Sequence, residues 1–402
     1  MKICAVVAEY NPFHNGHAYH IQQIRNAGYT HVVAVMSGDY VQRGSPAIAD
    51  SFLRAKAAVL GGVDLVISLP LPWSIAAAPD FAKGAVDLIK SMKIVNAVSF
   101  GCECTDDLCF AKLVDETHEK MLQEQIKKEL DNGLSYPNAF AAACWEQGRA
   151  ELYNFISAPN NLLGLEYCRQ LKGTDIAILP IHRIGSEHDS DKVTDQFASA
   201  SYIRDIFYKK YNSANELYKP YYYLPANTES LWKSAQQEGQ FPLSLQKFDI
   251  AALSRLRCMT ADDFLKYPYI NAGLENRLFN AVHNSVTFDD ACLHAKSRNF
   301  SLARIRRSLI SAVLDVKPEH LQNTAPYIKV LACNSRGFDI LREIKKEESP
   351  VIIMRHADSS EIDQNAKAIY NLNVAANDLF SLCTPVTSTC GNMAKTPTYI
   401  HK

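Results

Sequence analysis

The residues best suited to chemistry are Asn11-Pro12-Phe13-His14-Asn15-Gly16-His17. His14 and His17 stand three apart, so both rings converge on one point if a helix starts there. Two imidazoles so placed can donate hydrogen bonds to phosphate oxygens as charge builds during displacement at phosphorus. Gly16 lets a phosphate approach the backbone closely, and the free N–H groups and positive dipole end of a helix start favour an anion. No nucleophilic side chain is required, because such transfer is mainly positioning and charge stabilisation. Taken alone, a His-x-Gly-His string is equally compatible with metal binding or chance. A second candidate is Ser199-Ala200-Ser201-Tyr202-Ile203-Arg204. Two hydroxyls at a helix start, with an arginine a turn later, suit the β and γ phosphates of a nucleotide. Alone, that string also reads as a helix N-cap and a solvated arginine.

The surrounding elements favour the phosphate reading. Ile3–Ala8 is a short continuous apolar run, the pattern of a buried parallel strand, and a helix is expected over His17–Asn26, ended by Gly28. Strands are expected at His31–Met36, Asp64–Leu69, Ala97–Phe100 and Ile176–Pro180, with helices over Ser51–Leu60, Phe81–Met92 and Ser201–Lys210. Strands alternating with helices imply crossover connections and a doubly wound, parallel α/β sheet, which binds ligands at the carboxyl ends of its strands. The His-x-Gly-His string then falls on the first strand-to-helix turn. A helical insertion is expected between about residues 106 and 150. Beyond residue 210 the spacing is mainly helical, with one short strand candidate at Pro350–Met354 and a loop or tail from Thr384 onward. The expected division is residues 1–210 as a nucleotide-binding domain and 211–402 as a mainly helical one.

Composition narrows the class. The 402 residues are 47% hydrophobic and 21% charged, with a formal net charge of −1, the mixture of a soluble globular protein. No global attraction to nucleic acid follows, so an RNA surface must be a local basic patch. Neither DNA nor a membrane is an expected partner, since no apolar run reaches the roughly 18–20 residues of a span. The eleven cysteines are scattered, as expected of reduced thiols in the cytoplasm. Cys102-x-Cys104-x4-Cys109 has no paired Cys-x-x-Cys or His-x3-His partner, so no protein-held metal is expected.

Glu9 to His17, Met36-Ser37-Gly38-Asp39, Gln42-Arg43-Gly44-x-Pro46-Ala47, Gly62 to Ile67 and Phe100-Gly101-Cys102-Glu103 form a distinctive set. Pro159-Asn160-Asn161-Leu162-Leu163-Gly164 and Ser199-Ala200-Ser201-x-x-Arg204 extend it. With these residues the chain resembles the HxGH nucleotidyltransferases, which have a Rossmann-like fold of the HUP type, and more closely the tRNA(Met) cytidine acetate ligase family. The resemblance covers most of residues 1–210 and is thinner beyond, where Arg304 to Arg307 and Pro326 to Leu331 are its landmarks.

The resemblance implies ATP-dependent formation of acetyl-adenylate from acetate, then acetyl transfer to N4 of the wobble cytidine of elongator tRNA(Met). His14, His17, Ser199, Ser201 and Arg204 would be the catalytic set. The family's ATP segment maps onto Val7, Ala8, Glu9, Tyr10, Asn11, Pro12, Phe13, His14, Asn15, Gly16, His17, Ala18, Tyr19 and His20. Further nucleotide contacts would fall on Gly101, on Arg183 and on the Asn160-Asn161 pair, with Asn161 favoured. Mg2+ is expected with ATP, held mainly by phosphates and water. The family's Ser-Ala-Thr is Ser-Ala-Ser here, and its Tyr-His-Asp is Glu187-His188-Asp189, which removes one aromatic contact. We expect the acid near Ser37, Gly38, Gln42 and Arg43. Lys296, Arg298, Arg304, Arg306 and Arg307, with Phe300 among them, are the expected tRNA patch. A small-molecule adenylyl- or cytidylyltransferase and a non-catalytic RNA-binding protein are the alternatives. Chain length counts against the first, and the intact motif residues count against the second.

Overall fold

The computed structural model describes residues 1–103, 107–117, 120–131, 136–183, 196–209, 219–322 and 327–400. Its centre is a mixed sheet. Strand β1 (Ile3–Ala8) pairs in parallel with β2 (His31–Ser37), and a two-stranded hairpin, β3 (Tyr40–Val41) and β4 (Ser45–Pro46), follows β2. Strands β5 (Leu65–Leu69), β6 (Ala97–Cys102) and β7 (Ala177–His182) complete the parallel part, in the order β5-β2-β1-β6-β7. β1 and β2 are apolar on both faces because helices cover both sides of the sheet. Strand order reverses between β1 and β6, so a crevice opens there at the carboxyl ends of the two strands.

Helices α1 (Asn15–Asn26) and α2 (Ser51–Leu60) lie on one face, and α3 (Ala78–Ser91) lies on the other. The insertion between β6 and β7 is helical, as the spacing predicts: α4 (Asp107–Thr117), α5 (Lys120–Asp131), α6 (Tyr136–Glu146), α7 (Ala150–Ser157) and α8 (Pro159–Leu171). Helix α8 returns against α3 and β6. Helix α9 (Ala200–Tyr208) rejoins the α1 face. Caps set the starts of three of these helices: His14 for α1, Asp50 Oδ1 accepting Leu53 N–H at 2.8 Å for α2, and Ser199 for α9.

The later part of the chain contributes helices α10 (Glu229–Gln237), α11 (Leu245–Arg257), α12 (Ala261–Phe264), α13 (Leu274–His283), α14 (Phe288–Ala295), α15 (Leu302–Leu314) and α16 (Pro318–Leu321). Helices α11 to α15 enclose a core of their own, which α18 (Gln364–Leu382) completes. The chain also returns to the sheet. Strand β8 (Ile328–Cys333) pairs antiparallel with β5, and β9 (Ile352–Ile353) and β10 (Thr398–Tyr399) pair with β8. Helix α17 (Ser335–Ile344) packs over β5 and β8. The expected all-parallel sheet is therefore mixed at this edge. An antiparallel neighbour is admissible because β8 arrives from the helical segment rather than by a crossover helix.

Asp64 fastens the returning segment. Its buried carboxylate accepts from Arg25 at 2.5 Å, from Val32 N–H at 2.8 Å, from Asn334 at 3.1 Å and from Arg336 at 2.9 Å. The 19-residue α18 was not anticipated, because its interspersed asparagines weaken the helical signal. Those asparagines have tertiary partners. Asn373 bonds both the N–H and the C=O of Leu71, and Asn377 donates to Asp39 at 2.6 Å. Among the described residues, no helix is long and apolar enough to cross a membrane.

Candidate active site

A cavity of about 260 Å³ opens at the point where strand order reverses. Val7, Ala8, Glu9, Tyr10, Asn11, His14, Gly16, His17, Tyr19, His20, Gly101, Asn160 and Arg183 line it, so most of the expected nucleotide segment comes together. Pro12, Phe13, Asn15, Ala18 and Asn161 do not line it. Phe13 is fully buried, edge-on to Tyr10 and beside His17, and acts as a wedge beneath the turn. Asn15 donates to the carbonyls of Gln196 and Tyr222, tying the start of α1 to the α9 region.

The two histidines have defined tautomers. His14 Nδ1 accepts Gly16 N–H at 3.0 Å, and His17 Nδ1 accepts His14 N–H at 3.2 Å. A ring nitrogen that accepts carries no proton, so each neutral ring holds its proton on Nε2. The rings stack at 3.8 Å and both line the cavity, each with its Nε2–H on the ring edge not used in the capping bond. Burial, then the charges of Arg183 and Arg204, lowers the His14 pKa to about 3. Burial, then His14, holds His17 well below its usual value. Both are therefore neutral donors at pH 7. His20 plays a different part. Ser99 gives its single proton to Leu179 O at 2.8 Å, so it accepts from His20 Nε2–H at 2.7 Å. That bond anchors His20 to β6 instead of supplying a second-row donor.

Guanidinium groups supply the charge. Arg183 and Arg43 line the cavity, and Arg204 donates to Asn11 O at 2.8 Å just behind the lining. Arg183 donates to Asn160 Oδ1 at 3.2 Å, and Asn160 in turn donates to Glu103 at 2.7 Å. Burial and the Arg43 charge both lower the pKa of Arg183 and of Arg204, while carboxylates oppose them. Glu9 is the one carboxylate among the described lining residues. Cations crowded against so little negative charge form an anion site. Asn161, the favoured member of its pair, is buried. It accepts Glu103 N–H at 3.0 Å and donates to Phe155 O, so the geometry selects Asn160 for the cavity. Sequence alone could not separate two adjacent asparagines whose faces depend on where α8 begins.

Ser199 caps α9, accepting Tyr202 N–H at 3.1 Å, and its Oγ lies 3.0 Å from that of Ser201. Ala200 is the residue of this string that lines the cavity, with the serines and Arg204 beside it. Of the residues expected to meet the acid, Gln42 and Arg43 line the cavity, and Gln42 N–H donates to Glu9 Oε1 at 3.0 Å. Ser37 and Gly38 lie behind it, their carbonyls held by Arg54. Sequence reading missed Arg54. It is fully buried and also donates to the carbonyls of Glu9 and Ala49, so one side chain fixes the end of β1 against the end of β2. Phe81, Phe100, Leu163 and Tyr167 were missed as well, and they form the far wall.

Glu187, His188, Asp189 and Cys104 lie outside the described residues. Among the described residues, no group of three or more His, Cys, Asp or Glu could hold a metal ion. In the expected tRNA patch, Lys296 and Arg298 are exposed. Arg304 is committed to Tyr269 O and Asn271 and lies over Phe300. Arg306 pairs with Asp289 at 3.0 Å, and Arg307 lies over the Tyr269 ring.

The whole-chain comparisons agree with this geometry. Residues 1–394 match the model of the HIGH nucleotidyl transferase family. The chain is 32% identical to the tRNA(Met) cytidine acetate ligase of Acetivibrio thermocellus, with 95% of each chain covered. It is 33% identical to the protein of the same name from Thermoanaerobacter sp., with 97% of this chain and 98% of that one covered. The chain belongs to the tRNA(Met) cytidine acetate ligase family. Thermotoga maritima TmcAL bound with alpha-thio ATP superposes with a TM-score of 0.90 at 28% identity, and the apo form with 0.92, each over 100% of both chains. Membership in a HIGH nucleotidyl transferase family accounts for the paired imidazoles at the start of α1, which line this cavity.

Proposed function

We propose that this member of the family joins acetate to ATP and passes the acetyl group to tRNA. A carboxylate oxygen of acetate attacks the α-phosphorus. The bond to pyrophosphate breaks, and pyrophosphate leaves with the electron pair, giving acetyl-adenylate. The N4 amine of the wobble cytidine of elongator tRNA(Met) then attacks the acetyl carbonyl, AMP leaves, and the amine loses a proton to give N4-acetylcytidine.

The observation that carries this reading is the pair of neutral imidazoles. Both rings line the cavity at a helix N-terminus, and their Nδ1 bonds to the backbone leave Nε2–H as the donor of each. Such fixed donors meet the charge that develops on the phosphate without reorganising. Arg183, Arg43 and Arg204 would neutralise the triphosphate, and Ser199 and Ser201 would meet its far end. Mg2+ would be held mainly by phosphate oxygens and water, with Glu9 the protein carboxylate at the cavity. The chemistry it would supply there is charge neutralisation on the leaving pyrophosphate. The names of the relatives support acetate and tRNA(Met) as the substrates, and a tRNA substrate fits a cytoplasmic protein. We assign tRNA docking to the helical segment after residue 211, with the exposed Lys296 and Arg298 as its phosphate contacts.

The test is pyrophosphate release from ATP with acetate, propionate, glycine or no acid, each with and without bulk tRNA. Acetate-dependent release, with label from acetate entering tRNA, is the expected result. Release that ignores the acid, or RNA that stays unlabelled, would overturn the reading.

A further inference from the structure

The cavity has two unlike halves. One carries His14, His17 and the guanidinium groups. The other lies against the α3 and α8 face of the sheet, where Phe81 from α3, Phe100 from β6, and Leu163 and Tyr167 from α8 close the floor. Asn160, Leu163 and Tyr167 fall at i, i+3 and i+7, so one stripe of α8 runs from the polar rim into the apolar half. We propose that this apolar half seats the acid, with Tyr167 donating to its carboxylate and the Phe81, Phe100 and Leu163 side chains limiting its chain length. This rests on the acid-activating function proposed above.

Tyr167 is 4% exposed and lines the cavity, so its phenol is presented to whatever occupies that space. A phenol at the wall of an apolar pocket offers its O–H to a polar ligand atom, and a carboxylate oxygen is a strong acceptor for it. Burial, then the nearby Glu9 charge, raises its pKa, which keeps the proton on the phenol as a donor. Glu9 also accepts from Gln42 N–H, so the phenol and the Gln42-Arg43 turn share one neighbour. Tyr167, Glu9 and the imidazole pair line the same cavity, so a carboxylate held by the phenol would share that space with the α-phosphorus.

The wall is rigid and nearly closed. Phe100 lies 5.8 Å from Tyr167 and 5.2 Å from Phe110, centroid to centroid. A Cβ added at Gly164 would come within 2.5 Å of Phe100 and 2.9 Å of Phe110, so α8 is pressed against these rings. Phe81 and Phe100 expose only 3% and 4% of their surface. So little uncovered ring area suits a methyl and a carboxylate and has no face for a purine. An apolar seat also keeps water from the adenylate.

The experiment uses the full-length protein carrying Tyr167→Phe or Leu163→Ala, with ATP–pyrophosphate exchange measured against acetate, propionate and butyrate. Tyr167→Phe keeps the ring and its packing, so its melting temperature should match wild type. It should raise KM for acetate about 10- to 100-fold, as expected for removing a hydrogen bond to a charged group, while KM for ATP stays within about twofold. Leu163→Ala should shift the propionate-to-acetate ratio of kcat/KM upward by about tenfold or more. A Tyr167→Phe enzyme whose ATP KM rises while its acetate KM holds would move this wall to the adenosine. An unchanged acid ranking in Leu163→Ala would remove the length gauge. If wild-type exchange ignores the acid, the proposed function fails first. If it depends on acetate and neither variant differs, this inference alone is overturned.

Discussion

Replacing His17 with asparagine separates two tasks held by one ring. Nδ1 accepts His14 N–H at 3.2 Å and closes the cap of α1, while Nε2 carries the proton of a ring that lines the cavity. An asparagine amide oxygen can take the Nδ1 position but offers no donor at Nε2. If the cap were removed entirely, the cost would be about 0.5–2 kcal/mol. Removing one fixed donor to transition-state charge costs about 10²–10³ in kcat, roughly 2.7–4 kcal/mol. The catalytic effect exceeds the stability effect, so the two can be read apart. His17→Asn should therefore melt within a few degrees of wild type and lose at least about a hundredfold in acetate-dependent pyrophosphate exchange. The loss should fall on kcat, because the donor acts on charge that the ground state does not yet carry. A variant with kcat within about threefold of wild type, or one changed only in KM for ATP, would refute the donor assignment.

Acid should destabilise the apo protein early. His14 and His20 have pKa values lowered to about 3 and about 4, chiefly by burial and then by Arg183. The folded rings stay neutral while the unfolded chain binds their protons below about 6.5. Stability should thus be unaffected by these groups above that pH and fall as pH drops toward 4, by about 2 kcal/mol per ring at pH 5. A denaturation midpoint constant from pH 7 to 5 would contradict this. Gly44 has φ of +74°, and a Cβ there would come within 2.8 Å of the Arg306 backbone. Gly44→Ala should cost about 1–3 kcal/mol and raise KM by displacing Gln42 and Arg43, and a normal melting curve would count against it. Arg54→Met should cost about 3–5 kcal/mol, since carbonyls of Glu9, Ser37, Gly38 and Ala49 lose their donor; urea titration measures it, and a change below about 1 kcal/mol would be inconsistent. Charge reversal at Lys296 and Arg298 should weaken tRNA binding and reduce the salt slope by about one for each phosphate no longer neutralised. Filter binding at several salt concentrations would expose an unchanged slope.

The sequence by itself determined the parallel part of the sheet and the anion-binding turn. Strand and helix periodicity are local, and Asn11 to His17 carries its cap, its close-approach glycine and both imidazoles within seven residues. The length of the His14–His17 interval already places the two rings together once α1 begins at Asn15. Tertiary structure decided everything that depends on partners far along the chain. Strand β8 joins the sheet antiparallel because Asp64 gathers Arg25, Asn334 and Arg336, a set spread over more than three hundred residues. Helix α18 is stable in spite of its asparagines because Leu71 and Asp39 satisfy them. Asn160 rather than Asn161 faces the cavity because α8 is seated by Gly164 against Phe100. The arginines at 304, 306 and 307 read as an RNA patch in one dimension, yet each has a protein partner in three. The same holds for the cavity's far wall. Phe81, Phe100, Leu163 and Tyr167 carry no catalytic signal by residue type, and only the packing of α3 and α8 at the end of β6 brings them together at the wall of the cavity.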